Sequence, residues 1–279
     1  MKKTCLTFGY FDGMHIGHQA VIAELDRREN AGRILLSFED RENPVLCTEK
    51  EKQHFLESCS SVELVSLDKS VYETRTVEEF CKEILSERFH ADEVVIGESF
   101  EKKEAVLKAL KETNIPISVV PAVKNGGRTV SSEWIKETAG RNDFQKMREL
   151  LGGSYVVSGT VVHGKGIGRS FGLPTANIRM QENKIFPPCG VYGARFFLEG
   201  KTYRAVTNVG TRPSADDNPV PTVESFILDF DENIYGKEVF VELLCFVREI
   251  RRFPGGLTEV RQQVDKDIET VKQMLKAEK

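Results

Sequence analysis

At Gly152-Gly153 the texture of this chain changes, and that change constrains its fold more than any other feature. Before it, strand-like apolar runs at 5–8, 33–38, 62–67, 93–96 and 117–120 alternate with helix-periodic segments at 18–30, 49–58 and 76–88. Helices of that length between short strands carry the chain through right-handed crossovers, which predicts a mainly parallel sheet in a three-layer α/β domain. Ligands of such sheets bind beyond the C-terminal strand ends. After the seam, strand-like runs follow one another at 155–162, 191–197, 201–208, 222–228 and 238–247, separated by Gly, Pro and Asn turns. That spacing predicts a closed or nearly closed antiparallel β-barrel. An amphipathic charged helix over 257–275 covers it. The expected domains are 1–152 and 153–279.

In the first domain, Phe8-Gly9-Tyr10-Phe11-Asp12-Gly13 leaves the first strand through a Gly-rich turn, and His15-Ile16-Gly17-His18 leads into a helix. Two histidines so spaced can face one phosphate chain, Gly17 lets that chain approach the backbone, and the helix N-terminus adds exposed amides. Imidazolium groups there neutralise charge developing on an α-phosphoryl group and on departing pyrophosphate, without a covalent intermediate. Taken alone, these residues also read as a turn with a helix cap and one buried histidine. With the preceding strand and the Phe11-Asp12-Gly13 step, however, the segment resembles the N-terminal adenylyltransferase domain of bacterial bifunctional riboflavin kinase/FAD synthetases, within the wider H-x-G-H nucleotidylyltransferase superfamily. The resemblance implies a Rossmann-like α/β fold in which His15 and His18 bind ATP phosphates while Gly9, Phe11, Asp12 and Gly17 shape the site.

Val130-Ser131-Ser132-Glu133-Trp134-Ile135-Lys136 stands where that family has Ser-Ser-Thr-x-x-Arg on the triphosphate, which implies ATP contacts from Ser131, Ser132 and Lys136. Lys136 keeps the arginine's charge but not its planar fork. Glu133, in the threonine's place, repels polyphosphate unless magnesium intervenes. The same residues also read as a Ser-capped surface helix. Gly97-Glu98-Ser99-Phe100-Glu101-Lys102-Lys103 departs from the family's Gly-rich loop associated with flavin and phosphate, and Phe38-Glu39-Asp40-Arg41-Glu42-Asn43-Pro44 from its His-Pro. The ATP half keeps its motif and the flavin half is rewritten, so adenylyl transfer is expected to be slower than in close family members.

In the second domain, His163-Gly164-Lys165-Gly166-Ile167-Gly168-Arg169 puts several glycines and two cations in one loop, a composition suited to backbone wrapped around phosphates. Alone it is also a flexible hairpin. Pro174 precedes Thr175, and Asn177 lies on the same side of an extended segment, so a hydroxyl and an amide aim at one point. Neutral oxygens of this kind help hold magnesium when phosphates supply the negative charge. Then come Asn208-Val209-Gly210-Thr211-Arg212-Pro213, Thr222-Val223-Glu224-Ser225-Phe226-Ile227-Leu228-Asp229-Phe230 and Ile234-Tyr235-Gly236. This ordered set resembles the riboflavin kinase domain of the same enzymes, and the resemblance runs over almost the full chain. It implies a six-stranded antiparallel Greek-key β-barrel with a C-terminal helix. In it Gly164, Lys165, Gly166, Gly168 and Arg169 hold Mg-ATP, Thr175 and Asn177 serve the metal, and Glu224 is general base toward the ribityl 5′-hydroxyl of riboflavin. A hydroxyl is a poor nucleophile at neutral pH, so an aimed carboxylate that takes its proton is chemically coherent. A carboxylate on an edge strand facing water is the alternative for Glu224. Asn208, Arg212 and Arg248 stand on the flavin side; Asn208 and Arg212 also read as turn residues, and helix packing explains most of the closing segment that holds Arg248. Pro254-Gly255-Gly256 and Ile250 depart from the family's pattern there.

Lys plus Arg is 39 against Asp plus Glu 43, a formal charge of −4, which gives no long-range attraction for nucleic acid or anionic lipid. The expected partners are small molecules: ATP with Mg2+, and riboflavin, FMN and FAD as substrate or product. The six cysteines form no C-x-x-C pair and read as mostly buried hydrophobes of a reducing compartment. With no signal-peptide core near the N-terminus and no apolar run approaching the roughly 18 residues of a span, the expected location is the cytoplasm. The oligomeric state has no signature in the sequence. Two further readings stand beside the bifunctional one. In the first, the chain is a riboflavin kinase whose N-terminal domain is a degenerate nucleotide-binding, regulatory or docking module. In the second, it is a flavin or nucleotide carrier without turnover.

Overall fold

The computed structural model describes residues 3–164, 173–212, 220–251, 253–254 and 256–277. They fall into two compact units. The first comprises Met1–Lys136 with Leu150–Gly152, and the second Glu137–Glu149 with Gly153–Lys279.

In the first unit, strands β1 (Lys3–Gly9), β2 (Ala31–Glu39), β3 (Glu63–Asp68), β4 (Glu93–Gly97) and β5 (Ile117–Val120) form a sheet in the order β3-β2-β1-β4-β5. All four pairings are parallel. Central β1 is buried from Cys5 to Gly9 because both its faces are covered. Leu6 and Phe8 face a core with Phe80, Ile84, Leu85, Val106 and Leu110, whereas Cys5 faces a second core with Val21, Ile22, Leu25 and Leu56. These cores bring in α1 (Ile16–Asp26) and α2 (Glu49–Cys59) on one side, and the Phe80–Arg88 segment and α5 (Lys103–Glu112) on the other. The expected three-layer sandwich is therefore present. The helix expected over 76–88 is wound differently. After the short α3 (Ser70–Glu73), α4 is a single turn, Val77–Glu79, capped by the Thr76–Glu79 box, and Phe80–Arg88 continues as a π-helix. Phe80, Cys81, Ile84 and Leu85 of this segment are buried in the core on that side of the sheet. The chain runs outward from β1 to β2 and β3, then returns to β4 on the other side. A crevice therefore opens at the C-terminal end of β1.

A two-stranded ribbon, β6 (Lys124–Asn125) with β7 (Arg128–Thr129), leads into α6 (Ser132–Gly140). In the second unit, Phe144 of α7 (Phe144–Leu151) lies edge-on to Tyr192 with centroids 4.7 Å apart. Strands β8 (Tyr155–Val162), β9 (Ala176–Arg179), β10 (Gly190–Leu198), β11 (Lys201–Arg212), β12 (Val220–Ile227) and β13 (Glu238–Arg248) close into a barrel in the order β10-β11-β12-β9-β8-β13. Every pairing is antiparallel, and β10 with β13 completes the ring. Tyr155, Val157, Phe196, Val223, Val239, Val241 and Leu243 are among its buried side chains. Thr207 and Ser225, both fully buried, satisfy each other through hydroxyls 2.9 Å apart. The closing helix α8 (Gly256–Ala277) brings Val271 onto Val191, Val206 and Leu228. Three cysteines, Cys5, Cys81 and Cys245, are buried; Cys47 and Cys189 are half-buried and Cys59 is exposed.

Candidate functional site

At the C-terminal end of β1 lies a cavity of about 310 Å3. Gly9, Phe11, Asp12, His15, Gly17, His18, Ser131 and Ser132 all border it. Lys136 does not; its Nζ lies 2.9 Å from Asp12 Oδ2 and donates to Pro44 O at 2.8 Å. The departing segment 97–101 forms another part of the wall, where Phe100 packs edge-on against Phe8 at 5.3 Å between centroids. Tyr72, unmarked in the sequence, closes that side, stacked on Phe38 at 4.8 Å. Two buried polar atoms of the wall, His18 Nδ1 and the Tyr72 hydroxyl, have no hydrogen-bond partner among the described residues. A polar ligand can supply what they lack.

The two histidines do different work. His15 caps α1, its Nδ1 accepting from the backbone amides of Gly17 (3.1 Å) and His18 (3.3 Å). With Nδ1 an acceptor, the proton of the neutral ring is assigned to Nε2. Gly17 serves this fold-back, since a Cβ there would stand 3.0 Å from the His15 ring. The expectation that Gly17 opens space for phosphate is thus refined: part of that space holds the imidazole. The rings of His15 and His18 stack 3.6 Å apart. Burial lowers the His15 pKa to about 4, against the raising effect of Asp12 and Glu133. Burial, then His15, then Lys52 hold His18 well below its ordinary value. In this site burial therefore favours two neutral rings over the expected imidazolium pair.

This has a sign that unfolding can read. The folded pKa of His15 lies below its ordinary 6.5, so between the two values the unfolded chain binds a proton that the native site refuses. Stability is complete above pH 6.5 and falls toward pH 4, by roughly 3 kcal/mol for His15. His18 acts in the same direction. The single tryptophan, Trp134, belongs to the first unit and reports its unfolding by fluorescence. Urea midpoints should drop across that interval, and less so in His15→Asn, which keeps a capping acceptor but cannot titrate. Midpoints that stay level in the wild type would show the rings to be solvated.

The turn between β1 and α1 is strained and heavily tied. Phe11 and Met14 have φ of 48° and 45°, a left-handed conformation that costs about 1–3 kcal/mol per residue and persists only where surroundings enforce it. Asp12 supplies much of the enforcement, accepting from Leu46 N (2.6 Å) and Cys47 N (3.1 Å) and pairing with Lys136. Ser132 Oγ donates to the Asp12 carbonyl at 2.7 Å. A third tie comes from Lys52 of α2, whose Nζ donates to Tyr10 O at 2.6 Å, to Ser37 Oγ at 2.9 Å and to Glu49 Oε1 at 2.6 Å. Sequence reasoning passed over Lys52 because a lysine in a charged helix reads as solvent-facing. It is buried.

In the barrel, register assembles the second centre. On β11 and β12, Asn208 stands opposite Glu224; on β12 and β9, Glu224 stands opposite Asn177. Directly opposed residues share a face, with Cβ atoms roughly 5 Å apart. Asn208, Glu224 and Asn177 therefore form one polar row across three strands, each half-buried. Strand β12 lies between β11 and β9, so Glu224 is not on an edge. Gly164 reaches the same row: a Cβ there would fall 2.4 Å from Asn177 Nδ2. Thr175 is half-buried just before β9. Lys165, Gly166, Gly168 and Arg169 lie outside the described residues, as does the side chain of Arg212. Arg248 is engaged in packing. Its Nε and Nη2 donate to the buried Asp267 of α8 at 3.0 and 2.7 Å, and Gln263 also donates to Asp267.

A parallel sheet with a histidine-capped helix at its crevice, joined to a barrel with a carboxylate in an amide-lined row, defines a two-centre protein for phosphoryl chemistry. Comparison with known proteins narrows the class. The family model described as FAD synthetase matches residues 1–134, and the riboflavin kinase model matches 151–275. Bifunctional riboflavin kinase/FMN adenylyltransferases are similar along nearly the whole length. That of Haemophilus influenzae is 29% identical over 98% of this chain and 94% of the relative, and that of Bacillus subtilis 26% identical over 95% and 90%. A crystal structure from Streptococcus pneumoniae, described as a macrolide-efflux protein, superposes with a TM-score of 0.78 at 25% identity, covering 97% of this chain and 94% of that one. No helix among the described residues is long and apolar enough to cross a membrane. The chain belongs to the bacterial bifunctional riboflavin kinase/FMN adenylyltransferase family.

Proposed function

We propose that residues 153–279 phosphorylate riboflavin to FMN and that residues 1–152 adenylylate FMN to FAD, with ATP as donor in both steps. The observation that carries the first step is the Asn208–Glu224–Asn177 row. The ribityl 5′-oxygen attacks the γ-phosphorus, its proton passes to the Glu224 carboxylate, and the bond to the β,γ-bridging oxygen breaks to release ADP. Magnesium fits the donor set at Thr175 and Asn177, since neutral oxygens suffice where phosphates bring the charge, and the Asn177 amide stands against the loop base at Gly164. When bound, the metal supplies charge neutralisation on the phosphates.

In the second step a phosphate oxygen of FMN attacks the α-phosphorus of ATP, and pyrophosphate leaves. His15 Nε2–H and the ring of His18 stand at the mouth of α1, where the neutral imidazoles stabilise the pentavalent charge while the Gly17 and His18 amides are taken up by His15 Nδ1. One observation favours a second reading, in which this unit binds nucleotide with little turnover. The cavity wall carries Asp12, Glu98, Glu101 and Glu133 and, among the described residues, no lysine or arginine. Chromatography of products from the full-length chain with riboflavin, ATP and magnesium separates the readings. FMN followed by slower FAD is expected; FMN alone supports the second reading, and neither product overturns both.

A further inference from the structure

The N-terminal cavity handles two polyanions in the reading above, yet its wall bears four carboxylates and no cationic side chain among the described residues. The buried cation nearest in structure to its turn is Lys52, and in the first unit it is the one buried lysine or arginine described. It does not border the cavity. Instead it stands behind the wall and holds the carbonyl of Tyr10, between Gly9 and Phe11, which do border it.

We propose that Lys52 is a positioning residue of the adenylyl-transfer centre, holding the strained Tyr10–Phe11 peptide in its phosphate-facing orientation and placing a fixed positive charge behind the histidine pair. This rests on the reading of the first unit as an FMN adenylyltransferase. The C=O and N–H of one trans peptide point in opposite directions. Fixing the Tyr10 carbonyl onto Lys52 therefore turns the Phe11 N–H away from α2, leaving it as a donor for an anion in the cavity. Phe11 itself has φ of 48°, so the peptide needs such a clamp. The charge also acts at a distance, since Lys52 is among the causes that hold His18 neutral. Glu49 moderates it, with Oε1 on Lys52 and Oε2 accepting from Ser66 Oγ at 2.5 Å. His15 stacks on His18, and the other charged or titratable side chains bordering the same cavity are Asp12, Glu98, Glu101, Glu133, Tyr10 and Tyr72.

The test uses the full-length chain with Lys52→Met, Lys52→Arg and Glu49→Gln, and two readouts. With supplied FMN, ATP and magnesium, Lys52→Met should lower FAD formation at least about ten-fold, since small misplacements of a reacting group cost that much or more. Riboflavin phosphorylation should stay within about two-fold of wild type, because the kinase centre lies on another fold. Lys52→Arg should restore part of the loss. NMR titration of the His18 imidazole should show a higher midpoint in Lys52→Met, a lower one in Glu49→Gln and little change in Lys52→Arg. Unchanged FAD formation together with an unchanged His18 midpoint in Lys52→Met overturns the proposal. Should Trp134 fluorescence show that variant unfolded, an unmoved His18 midpoint in Glu49→Gln overturns it instead. A wild type that makes no FAD defeats the transferase reading, and the His18 midpoints then decide on Lys52 alone.

Discussion

Glu224→Gln is expected to lower riboflavin phosphorylation by about 100-fold or more, the scale of a general base, while FAD formation from supplied FMN is unchanged. Glutamine keeps the size of the side chain and one carbonyl oxygen, so the packing of β12 between β11 and β9 is undisturbed. What it loses is the capacity to take a proton. Neighbouring Val223 and Ser225 point the other way and are buried, so no adjacent side chain can replace the carboxylate. The amides of Asn208 and Asn177 on either side can orient substrate but cannot accept its proton at neutral pH. A fall confined to KM, with turnover preserved, would make Glu224 a binding residue. Full activity would remove it from the mechanism.

The sequence carried the architecture because its signals were local. Five short apolar runs separated by helical periods could only become a parallel sheet, and the alternation Leu6/Phe8 against Cys5 placed a core on each face. The kinase row was legible as residue types, but its geometry was not. Only pairing places Asn208, Glu224 and Asn177 side by side, and register depends on contacts far apart in the chain. β9 carries Asn177 yet is four residues long, too short for a period-2 signal. Lys136 and Arg248 show the opposite limit. Motif position set Lys136 on the triphosphate and Arg248 either on the flavin side or in helix packing; their ion-pair partners in the structure, Asp12 and Asp267, have no spacing signature. The edge of each unit was blurred too, because Glu137–Glu149 groups with the second unit and Leu150–Gly152 with the first. Helical periodicity shows that α7 exists but not which core takes its apolar face.

His18→Ala is expected to lower FMN adenylylation by about 100-fold or more, the cost of removing one aimed donor from a charge-stabilising site, and to leave FMN formation at the wild-type rate. The two proposed centres lie on different folds, so neither loss should pass to the other activity. The effect should exceed mere loss of a contact because His18 is coupled to its neighbours. Its backbone amide donates to His15 Nδ1, and its ring stacks on that imidazole at 3.6 Å. Alanine keeps the amide, so His15 still caps α1 and the first unit should remain folded. The missing ring then tests chemistry rather than stability. Because both rings are held neutral, wild-type adenylylation should not require an imidazolium, and its rate should show no loss as pH rises through 6.5. A rate that falls above that pH would mean that bound phosphates protonate the pair. A His18→Ala enzyme that makes FAD at the wild-type rate would remove the His18 ring from the transferase mechanism.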